Sequence, residues 1–135
     1  MANGKVSIEY KQLFLDHVKD LAGLYLGFVG TVMDYTENFG ELDVETDIVM
    51  LDVAAKFNGS ASNPSTTLCR VANDSAIVTG VATAGGVSLT GWFLATTNVP
   101  TTAVIVAQQN FATPVTTVQG LPLTFAIGDL KLELD

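Results

Sequence analysis

Among 135 residues there is one cysteine, one histidine and one arginine. A lone Cys69 excludes an internal disulfide, and no Cys or His pair stands at metal-ligand spacing. Acid–base and nucleophilic chemistry are nearly as poorly supplied, with His17 the single side chain that ordinarily titrates near neutrality. A nucleophile elbow, a phosphate-binding glycine loop and a dinucleotide fingerprint are all missing, so no catalytic residue, metal or cofactor is expected. Long hydrophobic runs are missing too. The longest, LAGLYLGFVGTVM at 21–33, contains Gly and Thr and falls short of the roughly 20 residues that span a bilayer. The opening MANGKVSIEY lacks the apolar block and cleavage site of a secretion signal. No membrane partner is expected.

Positive charge is also scarce. Six Lys and Arg against fourteen Asp and Glu give a net charge of −8, the wrong sign for binding nucleic acid through its phosphates. The charge is unevenly spread. Between Lys19 and Lys56 there is no basic residue, while Asp34, Glu37, Glu41, Asp43, Glu45, Asp47 and Asp52 crowd into one segment. From Ser75 to Gly128 there is no charged residue at all. A tract so long, uncharged yet rich in Thr, Gly, Asn and Gln, suits a surface covered by another subunit. An ordinary polar β surface accounts for it as well.

Apolar residues make up 48% of the chain and charged ones 15%, which is the composition of a folded core rather than of disorder. The length suits one domain over 1–135. Residues 9–22 place Tyr10, Phe14, Val18 and Leu21 at helical spacing, with Ser7 upstream as an N-cap and Gly23 as a stop, which predicts one amphipathic helix. Everything afterwards reads as short β-branched or aromatic runs between turns: 24–32, 48–57, 67–72, 76–83, 87–97, 103–109, 114–118 and 122–134. In the last run Leu130, Leu132 and Leu134 alternate with charged residues, the mark of one buried face. The expected fold class is mainly β, a single β-sandwich or jelly roll with a short N-terminal helix.

Several residues invite a chemical reading. Asp43, Glu45 and Asp47 begin like a calcium loop, but Ile48 stands where the turn glycine belongs and no bidentate glutamate follows, which leaves a solvated acidic strand. His17 lies beside Asp16 and Asp20 without a nucleophile near it in sequence, as a surface histidine would. Cys69 reads as a buried structural thiol, and Gly85-Gly86 as a hairpin turn. Trp92, followed by Phe93 on a Thr-rich strand, suits core or interface packing better than a sugar platform. Trp92 and Phe93, with Glu41, Asp43 and Glu45 as an acidic docking element, are the candidate interface residues.

AIVTGVATAGGVSLTGWFLATT, AVIVAQQNFATPVTTVQG and LPLTFAIGDLKLELD, with Gly120 and Gly128 around a terminal β-hairpin, resemble the C-terminal half of small bacteriophage virion proteins of the tail-fibre-like or cement type. The N-terminal helix followed by LYLGFVGT resembles their opening. The acidic stretch 33–47 departs from the pattern, since such proteins more often have a short Pro-rich turn there. The resemblance implies a noncatalytic protein made in the host cytoplasm and carried on the virion surface. It further implies a dimer or trimer that decorates a head by binding the major capsid protein across capsomer junctions. A tail-associated adhesin, contacting the host through loops around Asn63, Asn98 and Asn110, is the alternative expectation.

Overall fold

The structure, a computed structural model, describes residues 4–135. It is mainly β with one short N-terminal helix, as the patterning predicts. The strands are β1 (Tyr25–Val29), β2 (Leu51–Asp52), β3 (Cys69–Ala72), β4 (Ile77–Val81), β5 (Ser88–Ala95), β6 (Ile105–Thr116), β7 (Pro122–Phe125) and β8 (Lys131–Leu134). They form a four-stranded sheet in the order β2-β1-β5-β6 and two-stranded sheets β3-β8 and β4-β7, an inventory compatible with a sandwich or a jelly roll. By their contacts the residues divide into two compact units. Unit 1 is built from the chain up to Leu21, Ala55–Ile77 and Phe125–Asp135; unit 2 is built from Ala22–Ala54 and Val78–Thr124.

In unit 1 the helix α1 (Ile8–Asp16) starts where Ser7 Oγ accepts from the Tyr10 N–H at 3.2 Å. It ends earlier than the periodicity suggests, passing into a single 3-10 turn at His17–Asp20. The face it buries also differs. Tyr10 and Phe14 are 63% and 61% exposed, and Leu15 and Val18 are the buried residues. Two apolar stripes share the same 3.6-residue period, and packing against β3 and β8 selects the one that contains Leu15. The Cys69 thiol is buried as expected, 3.3 Å from both the Ile8 carbonyl and Asn63 Oδ1. Cys69 and Val71 face inward on β3, opposite Leu134 and Leu132 of β8, while Arg70 and Glu133 pair on the other face at 3.4 Å.

The run 122–134 is not a hairpin. β7 pairs with β4 and β8 with β3, because a tight turn at Ala126–Asp129, with Gly128 at φ +86°, hands the chain from one sheet to another. Buried Asn73 holds that turn. Its side-chain amide donates to the carbonyls of Ser75 and Ala126, and its Oδ1 accepts from Leu130 N, all at 2.9 Å. Its backbone adds bonds with Leu130 and Gly128. Gly85-Gly86 likewise lies in a turn between β4 and β5 that joins different sheets, with Gly86 at φ +75°.

In unit 2, β5 is buried on both faces from Gly91 to Ala95, so the choice between its two alternating sets does not arise. Phe93, with no exposed surface, lies over Gly27 of β1, whose missing side chain makes room for the ring. It packs edge-on against Phe39 at 5.6 Å within a core that includes Val29, Met33 and Ala95. Residues 103–109 and 114–118, separate runs by pattern, merge into β6, whose pairing with β5 is irregular around 111–114.

Removing the Asn73 amide leaves buried backbone groups without partners. Asn73→Ala should lower stability by about 2–4 kcal/mol, read as a shift of the urea unfolding midpoint; a shift under a tenth of that would mean water replaces the clasp.

Candidate functional site

Unit 2 carries the acidic segment, and the structure gives its carboxylates a use that their spacing does not announce. Between β1 and β2 the chain has only one short 3-10 turn (Phe39–Glu41) and an isolated bridge between Val29 and Val44, so many of its N–H groups have no ladder partner. The carboxylates supply acceptors. Asp34 Oδ1 takes the Thr36 N–H and hydroxyl, Glu37 Oε1 takes the Asp34 N–H at 2.9 Å, and Glu41 Oε1 takes the Asn38 N–H at 3.2 Å. Asp43 Oδ2 accepts from the Thr31 hydroxyl at 2.8 Å and Asp47 Oδ1 from the Thr83 hydroxyl at 3.0 Å, while Asp52 Oδ1 caps Ala54 N at 3.0 Å. Among the described residues Glu45 alone of the seven has no donor to its carboxylate. It is half-buried and reaches, with Asp43, the space in which a Gly30 side chain would begin.

Asp34, Glu37, Glu41 and Asp52 thus cap backbone N–H groups, while of the solvated acidic strand expected here Asp43 and Asp47 accept from threonine hydroxyls; Asp43 is exposed and Glu45 and Asp47 are half-buried. No group of three His, Cys, Asp or Glu among the described residues is arranged to hold a metal ion. The hydroxyl of Thr36, followed by its N–H and by the contact with Glu37, holds the Asp34 carboxyl below the usual carboxylate range.

The segment is tied to β6 by Asn110, whose amide donates to Met33 O at 2.7 Å and accepts from Met33 N at 2.8 Å, imitating a strand partner. The Asn110 N–H donates to the hydroxyl of Tyr35, which holds φ +70°. Of the three asparagines expected to present an adhesive loop, Asn110 and Asn63 are thus engaged inside their own units, and Asn98 lies exposed in the β5–β6 loop. Beside the segment lies an apolar cleft of about 410 Å³, lined by Phe39, Val44, Ile48, Val49, Met50 and Pro100 with Glu45, Thr46 and Asn98.

The candidate interface residues are not brought together as a surface. Trp92 is 5% exposed and Phe93 fully buried, so both are core side chains of unit 2; Glu41 and Asp43 are exposed, and Glu45 lines the cleft. His17 is exposed in unit 1, its Nδ1 3.6 Å from Asp20. The cleft itself went unseen, because its lining is gathered from 39–50 and 98–100 and no local pattern joins them. No helix among the described residues is long and apolar enough to cross a membrane. Comparison with known proteins returned no matching family model, no matching curated protein and no similar solved structure.

Two outcomes follow from this geometry. Trp92→Ala should destabilise the isolated chain by about 3–5 kcal/mol, as truncating a core aromatic does; an unchanged denaturation midpoint would take Trp92 out of the core. A carboxyl whose folded pKa is depressed contributes stability that is complete above its unfolded pKa and is lost as pH falls through the folded one. Thr36→Val should therefore move the NMR-detected Asp34 titration upward, toward the ordinary range, and narrow the acid window over which that contribution fades.

Proposed function

We propose that this chain is a noncatalytic virion structural protein that decorates a phage head, binding the major capsid protein across capsomer junctions and associating with copies of itself. The observation that carries the reading is the surface of the charge-free tract in unit 2. There Val78, Val81, Val99, Val104, Val118 and Leu121 are each between 48% and 62% exposed, with no charged side chain anywhere in the tract. Backbone bonds from Ala82 to Gly120 and Leu121 bring Val81, Val118 and Leu121 to one end of the β4–β7 ribbon. Such a surface can be covered by a partner without stripping water from charges, which is the costly part of forming a large interface. The resemblance of residues 76–135 to small virion proteins supplies the kind of partner. The adhesin reading is less well supported, since Asn110 is held by both of its amide atoms within unit 2.

Localisation with a copy number per purified particle tests the proposal. Hundreds of copies on the head, and particles that lose heat resistance when the protein is omitted, are expected. About a dozen copies at the tail, or heat resistance unchanged by omission, would overturn it.

A further inference from the structure

We infer that two copies of this chain meet through the outward face of α1, the two helices lying antiparallel across a twofold axis. The inference locates the self-association named above and rests on that reading only for the expectation that copies meet. Helix α1 is apolar on two sides. Leu15 is buried on the side packed against β3 and β8. Tyr10, Leu13 and Phe14, spaced three and one residues apart and so neighbours on the helix surface, form a second stripe that no described residue covers. They are 63%, 64% and 61% exposed, and Val6, just ahead of the helix, is 57% exposed. A helix apolar on both sides is normally buried on both.

Area and charge together identify what covers the stripe. At roughly 150–250 Å² for a large side chain, the four residues leave about 450 Å² of apolar surface in one patch, a size that often marks a contact on a monomer. Two such patches laid together withdraw about 900 Å² from water, and with a polar rim they reach a standard interface of about 1,600 Å². The net charge of −8 does not oppose the contact. Unit 1 holds all six Lys and Arg and seven of the fourteen carboxylates, whereas unit 2 holds the other seven carboxylates and no basic residue. Self-repulsion is therefore carried by unit 2, and copies that meet through α1 bring nearly balanced charge to each other.

The charges around α1 also set its direction. Lys5, Glu9 and Lys11 lie toward the start of the helix, and Asp16, Lys19 and Asp20 toward and beyond its end. The two ends differ in sign, so an antiparallel copy meets each end with its opposite, and the helix dipoles oppose as well. Tyr10 of each copy then lies against Leu13 of the other, with Phe14 beside the pair. An anionic lipid surface would call for an excess of lysine, and these six charges cancel.

Sedimentation equilibrium of the full chain tests this. A reversible dimer is expected, which Leu13→Lys and Leu13→Glu each weaken at least about thirtyfold, the size of an interface hot spot. Each change sets like charges against one another across the axis, at a position too exposed to disturb the fold; an unchanged far-ultraviolet circular dichroism spectrum checks the latter. An equimolar mixture of the two variants should associate at least about tenfold more tightly than either alone, because opposite charges then face one another. A chain that stays monomeric at every concentration would overturn the inference, as would a mixture no tighter than its components. A dimer indifferent to both variants would overturn it too, placing self-association on another face and leaving the decoration reading intact. A dimer that both variants dissolve, in a protein missing from the phage head, would leave this inference standing without that reading.

Discussion

A backbone N–H withdrawn from water must find an acceptor, and this chain has long stretches with neither helix nor strand to offer one. Side-chain oxygens take over that duty. In unit 1 Asn73 fixes the turn that delivers β8 to β3. In unit 2 buried Thr117 accepts from Val87 N at 3.0 Å and donates to the Ala84 carbonyl at 2.8 Å, and buried Thr79 accepts from Leu123 N at 2.9 Å. Among the described residues the buried polar side chains are Asn73, Thr79 and Thr117: Asn73 and Thr117 sit in turns just past a strand, and Thr79 lies in the middle of β4. The acidic segment extends the same logic to the surface, with carboxylates in place of amides and hydroxyls. Four of the segment's seven carboxylates, Asp34, Glu37, Glu41 and Asp52, serve backbone N–H groups in this way.

What could be read in advance follows from range. Strands β1, β3, β4 and β5 were legible because β-branched and aromatic residues alternate or cluster between Gly and Pro, a signal contained in a few neighbouring residues. The N-cap at Ser7 and the buried Cys69 were legible for the same reason. Sheet membership was not. Leu123 to Phe125 and Leu130 to Leu134 continue one alternating pattern, yet belong to different sheets, because Asn73, more than fifty residues upstream in the chain, holds the turn between them. The helical face was misread in part: Val18 is buried as the spacing expects, but Tyr10 and Phe14 at the same spacing stay exposed while Leu15 is covered.

The candidate site shows the same division. Glu41, Asp43 and Glu45 were singled out by charge alone, and charge does not distinguish a carboxylate that caps a turn from one left over. That difference lies in Thr31, Asn38 and Thr83, donors scattered along the chain. Trp92 and Phe93 were placed at an interface because a strand is normally buried on one face. Central position in the four-stranded sheet, with Gly27 opened beneath Phe93, lets β5 bury both.

The interleaving of the two units bears on the order of folding. In unit 2 the β5–β6 pair joins segments separated by a loop of nine residues, Thr96 to Val104, so its closure costs little chain entropy and can come early. In unit 1 Cys69 pairs with Leu134, across the whole of β4 to β7. The α1–β3 packing can form on its own, but β3 keeps an unpaired edge until the last strand arrives. During synthesis that edge stays open to other chains until the last strand arrives, just as the β1 edge toward β5 stays open until Ala95 pairs with Tyr25.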